Sequence, residues 1–137
     1  MKVDFNLEKP KPLNNPQMIQ GVFLSYVGPY SNHRIDFDHY SGKNVYFIPH
    51  GVTSIVPFKL FHQFEVCLTH MYGGLGSVEL TAYEYNTGSV IGQVYDDIPQ
   101  GPQYKIIEFS TKPDRIAYIT IKGIETLIQW IDLKSAD

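Results

Sequence analysis

Apolar and polar residues alternate most cleanly over Ser77–Tyr95 (SVELTAYEYNTGSVIGQVY). Val78, Leu80 and Ala82 interleave with Glu79, Thr81 and Tyr83, which sets one face for burial and the other for water. Asn86-Thr87-Gly88 breaks the run with turn residues, and Ser89–Tyr95 returns with Val90 and Val94 flanking Gly92 on one face. This stretch predicts a β-hairpin. A lone hairpin is marginal in water, so more strands must lie beside it and a sheet beneath.

The same two-residue period recurs along the chain. Gly21–Val27 reads as a strand ended by Gly28-Pro29. Arg34–Asp38 reads as another, with Ile35 and Phe37 on one face and Asp36 and Asp38 on the other. Asn44–Ile48 and Ser54–Phe58 read as two short strands, and Phe61–Met71 as a longer one. A glycine-rich loop, 72–76, precedes the hairpin. After it, Asp96–Gln103 reads as a loop, Tyr104–Phe109 as a strand, and Arg115–Lys122 as a strand that Gly123 bends before Glu125–Leu133 closes the fold. No segment holds a 3.6-residue period over three turns. Before all this, residues 1–20 read as an irregular Pro-rich arm with Pro10, Pro12 and Pro16. Within it Val3, Phe5 and Leu7 alternate like a short edge strand that docks on the rest. The expected organisation is an arm over 1–20 and one domain over 21–137. About ten short strands with turn signals every 8–12 residues give the fold class as all-β, a jelly-roll β-sandwich of two antiparallel sheets.

Composition narrows the function classes. The chain has 137 residues, enough for one domain with a real core. Net charge is −3, from 11 basic and 14 acidic residues, with no Lys/Arg run, which argues against a nucleic-acid partner. No apolar run reaches the length of a membrane span. The N-terminus lacks a signal-peptide pattern, which leaves localisation open. One cysteine, Cys67, forms no intrachain disulfide and sits in an apolar strand as a buried small hydrophobe. The five histidines are scattered, without metalloprotease spacing. No G-x-S-x-G elbow, P-loop or dinucleotide fingerprint occurs, so the chain reads as no enzyme. Aromatic residues make up 14%, with ten Tyr, eight Phe and one Trp. Such rings suit both strands and ligand platforms.

The second half carries a more specific pattern: LTAYEYNTGSVIG, then IIEFS, then DRIAYITIKG, then LIQWIDLK. It resembles the C-terminal half of the galactose-binding-domain-like jelly rolls, the sandwich of many carbohydrate-binding modules and lectin-like bacterial proteins. Ile116, Ile119, Ile121 and Gly123 fit that group's "I-x-x-v-x-i-x-G" strand, and Ile131-Asp132-Leu133 fits its final strand. The final strand departs in having no Asn between Asp132 and Leu133. The resemblance extends over about residues 33–134, with Ile35–Asp38 and Val45–Phe47 similar to the opening strands of some members. It implies a carbohydrate partner, and a structural calcium ion that joins an early loop to a carboxylate near the last strand. By position the metal candidates are Asp36, Asp38 and Asp132. They could equally be ordinary strand carboxylates, since the early loop lacks a dense Asp/Asn cluster.

For sugar, the candidates are rings with hydrogen-bonding groups beside them. Tyr83, Tyr85 and Tyr95 fall on one side of the hairpin with Gln93 between them, and Glu79 shares that face. The same tyrosines could be a cross-strand cluster that merely stabilises the sheet. Trp130 is a core anchor if it faces inward and a stacking platform if it faces out; alternation leaves open whether Ile128/Trp130 or Leu127/Ile131/Leu133 is the buried set. Loop positions are also open: Tyr30, Asn32 and His33 in one loop, and Tyr72, Asp96, Asp97 and Gln103 in others. The expected function is a non-catalytic carbohydrate-binding, lectin-like module. The alternative is a structural or protein-interaction domain of a larger assembly, in which the arm and the exposed aromatics contact a partner protein and an oligomer forms.

Overall fold

A computed structural model describes residues 1–29, 32–71, 76–111, 113 and 115–135. Among them there is no α-helix, only a 3-10 turn at Phe5–Leu7. The strands are β1 (Lys2–Asp4), β2 (Lys11–Pro12), β3 (Gln17–Ile19), β4 (Val22–Val27), β5 (Arg34–Asp38), β6 (Lys43–Pro57), β7 (Gln63–His70), β8 (Gly76–Glu84), β9 (Val90–Ile98), β10 (Lys105–Ser110) and β11 (Ile116–Lys134).

All pairings between these strands are antiparallel, and two long strands organise them. The second half of β6 pairs with β4 and with the first half of β11, which in turn pairs with β8. The first sheet therefore runs β3-β4-β6-β11-β8-β9. The first half of β6 pairs with β5 and with the middle of β11, and the rest of β11 pairs with β7. The second sheet therefore runs β2-β5-β6-β11-β7-β10, and β1 takes the place beside β11 where β6 leaves off. One core joins the two sheets. Leu24, Ile55, Leu80, Ile119 and Ile121 from the first sheet share a cluster with Ile35, Ile48, Phe64, Val66, Leu68 and Ile131 from the second. Burial of each such side chain is worth about 1.5–3 kcal/mol against exposure.

β6 and β11 change sheets where Gly51 faces Gly123 across the ladder. Gly51 has a φ of +154°, and a Cβ there would lie 2.1 Å from the Val27 carbonyl oxygen. Only glycine allows the backbones of β4 and β6 to approach so closely. Just beyond Gly123, Glu125 takes a φ of +48°, and its carbonyl accepts the Met71 N–H at 2.8 Å.

A buried polar chain ties the N-terminal segment to this core. Thr53, Tyr46 and His33 are all within the interior. The Tyr46 hydroxyl lies 2.7 Å from Thr53 Oγ1 and 2.8 Å from His33 Nδ1, and His33 Nε2 contacts the Asn14 carbonyl. A carbonyl can only accept, so Nε2 carries the proton and Nδ1 accepts from Tyr46. Tyr26 stacks on the imidazole at 5.7 Å. Burial lowers the His33 pKa, and the Asn14 carbonyl offsets this only in part. Burial likewise pushes the Tyr46 hydroxyl far above the usual phenol range.

Several elements differ from their sequence-based expectation. Asn44–Ile48 and Ser54–Phe58 are the two ends of one strand, because the intervening His50-Gly51 stays extended while it changes sheet. Residues 115–133 are likewise one strand across the bend. Asp96–Ile98, expected in a loop, continue β9 because β8 extends back to Gly76 and pairs with them. A bulge opposite Ala82/Tyr83 separates Val90 from Val94: Val90 is exposed and Ile91 packs on the core instead. Val3 and Phe5 are fully buried, but Leu7 is exposed once the chain turns through Phe5–Leu7.

Two expected outcomes follow from these contacts. Gly51→Ala should lower unfolding free energy by about 2 kcal/mol or more, because a backbone oxygen rather than a mobile side chain blocks the new methyl. Urea titration of the purified variant reads this. His33 has a folded-state pKa below its unfolded value of 6.5, so the unfolded chain binds the proton more readily. Its contribution should be fully present above about pH 6.5 and should decline as pH falls below it. His33→Gln should flatten that part of a stability-versus-pH curve; an unchanged slope would show that His33 does not control it.

Candidate functional site

The outer face of the first sheet follows from register. Tyr83, Thr81 and Glu79 on β8 sit beside Tyr118, Thr120 and Lys122 on β11. On the other side of β8, Thr81 faces Gln93 and Glu79 faces Tyr95. The alternate residues Leu80, Ile119 and Ile121 point into the core, so this set points out. Tyr83 and Tyr118 stack with centroids 4.6 Å apart and planes within 8°. The Gln93 amide donates to Glu79 Oε1 at 3.1 Å and to Thr81 Oγ1 at 3.2 Å, which fixes the carboxylate of Glu79 on the face.

Two clefts open at opposite ends of this face. The first encloses about 540 Å³ at the bend of the long strands. Glu79, Tyr95, Asp97 and Lys122 supply its polar groups, with Ser77, His50 and His70 beside them. Gly51 and Gly123, at the bend, also line it. Tyr95 is 70% exposed, so its ring is open to a ligand. The second cleft, of about 520 Å³, lies between the β8–β9 turn and the segment after β6. Phe58, Leu60, Val56, Tyr85 and Tyr118 line it.

Of the sequence-predicted sugar residues, Tyr95 and Gln93 share one part of the face with Glu79. Tyr83 lies between the clefts against Tyr118, and Tyr85 belongs to the second cleft. Trp130 is not among them. It sits in the second sheet, paired with Cys67 and Asp4, with the Lys2 ammonium 4.5 Å above its ring. A bulge between Ile128 and Trp130 breaks the alternation there, so neither of the two simple buried sets occurs: Ile128, Ile131 and Leu133 join the main core, and Leu127 joins Val45 and Phe47 in a smaller cluster.

Among the loop candidates, His33 is buried, Asn32 donates to the Leu13 carbonyl, and Asp96 pairs with Lys105 at 2.8 Å. Asp97 lines the first cleft. The Gln103 carbonyl accepts from Thr69. Tyr30 and Tyr72 lie outside the described residues.

The carboxylates expected from the calcium pattern have separate partners. Asp36 pairs with Arg34 at 3.2 Å, and Asp132 faces the N-terminal ammonium at 3.7 Å. Asp38, read as lying on the strand face opposite Ile35 and Phe37, is buried. It accepts the Tyr104 hydroxyl at 2.6 Å and the Tyr40 N–H. Burial alone would raise its pKa, but bonds from Tyr104, Ser41 and Tyr40 outweigh this and hold it below the usual range. Among the described residues no three His, Cys, Asp or Glu side chains converge as a metal site. Calcium needs six to eight oxygens, and these three aspartates do not assemble them.

Lys122, Tyr118 and Phe58 were not legible as site residues. Their strands are, and the run Tyr118-Ile119-Thr120-Ile121-Lys122 shows which of them face out, but nothing local says that β11 lies beside β8.

No protein-family model matches the chain, and no curated protein matches it. Solved structures do. The xylan-binding CBM22-1 domain of Paenibacillus barcinonensis Xyn10C superposes with a TM-score of 0.60 at 10% identity, covering 100% of this chain and 95% of that one. A variant of a family 29 carbohydrate-binding module gives 0.52 at 14% identity over 91% of this chain and 87% of that one. An isomalto-dextranase of Arthrobacter globiformis T6, complexed with panose, gives 0.53 at 12% identity over 82% of this chain; the chain spans only 23% of that enzyme. Among the described residues no helix is long and apolar enough to cross a membrane. The chain has the all-β jelly-roll sandwich fold of these carbohydrate-binding modules, as its resemblance to the galactose-binding-domain-like group implied.

Proposed function

We propose that this chain is a non-catalytic carbohydrate-binding module whose ligand lies on the outer face of the first sheet, in the cleft of Glu79, Tyr95, Asp97 and Lys122, with Gln93 bonded to Glu79 at its side. The observation that carries this reading is the exposed Tyr95 ring beside a Glu79 carboxylate held in place by Gln93. A sugar has an apolar ring face and a rim of hydroxyls. Tyr95 offers the stacking surface, Glu79 and Asp97 accept hydroxyl protons, and the Lys122 ammonium donates. The shape matches a small-molecule site, a cleft of several hundred Å³ with few convergent polar groups. The Gln93 bonds reduce the ordering that binding would require. Carbohydrate-binding modules among the matched structures support the same reading at the level of fold.

Tyr95→Ala should weaken glycan binding about tenfold or more, the loss of one well-stacked ring, and should leave thermal stability nearly unchanged because the ring is exposed. Glu79→Gln should weaken it less, since the amide oxygen still accepts. Affinity electrophoresis on a panel of soluble polysaccharides, followed by calorimetry, gives both values. Binding that is absent across the panel, or indifferent to Tyr95→Ala, would remove this assignment.

The sole tryptophan gives an independent check. Trp130 belongs to the second sheet and lies under Lys2, so saturating ligand should leave its emission maximum in place. A large spectral shift would move the ligand to the other sheet.

A further inference from the structure

The second cleft has a different chemistry from the first, and the assigned sugar contacts do not use it. Phe58 is 70% exposed and Tyr85 is 71% exposed, and Val56, Leu60 and Ala117 add apolar surface between them. Two of its rings are held in place from behind. Phe58 packs edge-on against Phe23 at 5.3 Å, and Tyr118 stacks on Tyr83. Rings exposed yet fixed in this way lose little freedom when a ligand covers them. The rim carboxylate is already committed: Glu84 faces Arg115 at 3.8 Å and accepts from Thr87. Beyond Lys59 and the tyrosine hydroxyls, hydroxyl partners are scarce where apolar surface is abundant. A bare sugar would leave hydroxyls without partners there, while an apolar group would bury its surface against three rings.

The two clefts lie along one strand face. Lys122 in the first and Tyr118 in the second lie on one face of β11, four residues apart, or about 13 Å by strand rise. Thr120, Thr81 and the Tyr83–Tyr118 pair pave the interval. We propose that the second cleft receives an apolar substituent of the glycan seated in the first, such as an aryl or acyl group carried by the sugar chain. The ligand class is then a substituted glycan rather than an unadorned one. This rests on the carbohydrate reading of the first cleft.

Two measurements test it. Benzyl alcohol, titrated against 15N-labelled protein, should shift amides of residues 56–60, 84–88 and 117–118 and leave 95–97 and 122–124 in place. Phenyl glycosides of di- and trisaccharides, long enough to span the roughly 13 Å between the clefts, should bind at least fivefold more tightly than the matching methyl glycosides. Phe58→Ala should erase that preference without weakening the methyl glycosides, and Tyr95→Ala should weaken both sets. Equal affinity for phenyl and methyl glycosides, with Tyr95→Ala still weakening both, overturns the second cleft alone. Failure of every glycoside to bind, with benzyl alcohol still at residues 56–60, overturns the carbohydrate reading and the glycan-borne occupant with it. A concentration-dependent dimer in light scattering that Phe58→Ala dissolves assigns the cleft to a second copy of the chain and also overturns the proposal.

Discussion

The fold depends on β6 and β11 remaining paired with each other while both pass from one sheet into the other. Their ladder runs from Ile119↔Ile55 through Gly123↔Gly51 to Ile128↔Tyr46 in one register, interrupted only at Glu125. A sandwich usually joins its sheets by loops and by core contacts alone. Here the backbone hydrogen bonds themselves cross the junction. The two sheets cannot slide against each other without breaking this ladder, and the core between them has one register. The constraint requires a place where two strands bend together, and the chain meets it with glycine on both: Gly51 passes under Val27, and Gly123 faces it.

The same bend borders the first cleft, and the groups around it come from strands already fixed in register. Glu79 is beside Lys122 because β8 pairs with β11, and it is opposite Tyr95 because β9 pairs with β8. No loop has to fold separately to bring these groups together. Geometry set by strands is more exact than geometry set by loops, which suits the ring face and hydroxyls of the proposed sugar ligand.

Much of this was legible in the sequence, and the boundary of legibility is physical. Period-two alternation identified the hairpin, the inward set Val78, Leu80 and Ala82, and the all-β class. It failed wherever a residue was added to one strand and not its partner. The bulge beside Ala82 turned Val90 outward, and the bulge before Trp130 broke the parity of the last strand. Asp38 reads as an ordinary strand carboxylate, yet Tyr104, sixty-six positions away, buries it and bonds to it. The face itself combines residues from 79 to 122, and only pairing between distant strands puts them together. Tyr83 and Tyr95 were visible as candidates because they sit on one hairpin; Tyr118 and Lys122 were not, because the contact that recruits them is non-local.

The exposed rings stand out further against the care taken elsewhere. β9 pairs with β8 alone among the described residues, and β10 with β7 alone, so both present edges. Yet they are tied to each other across the sandwich. Lys105 of β10 reaches Asp96 of β9 at 2.8 Å, and Phe109, stacked on Phe64, fills the space over Gly92 where a Cβ would lie 2.5 Å from its ring. A charge and a covered flank are the usual protection of a strand edge. The chain thus shields the surfaces most prone to unwanted pairing and leaves Phe58, Tyr85 and Tyr95 open on one broad face. Tyrosine and phenylalanine exposed to about 70% forfeit much of the burial energy available to them. Exposure is not confined to the second cleft: Tyr95 and Val90 lie on β9 and Ile106 on β10, so the tied edges carry apolar surface as well.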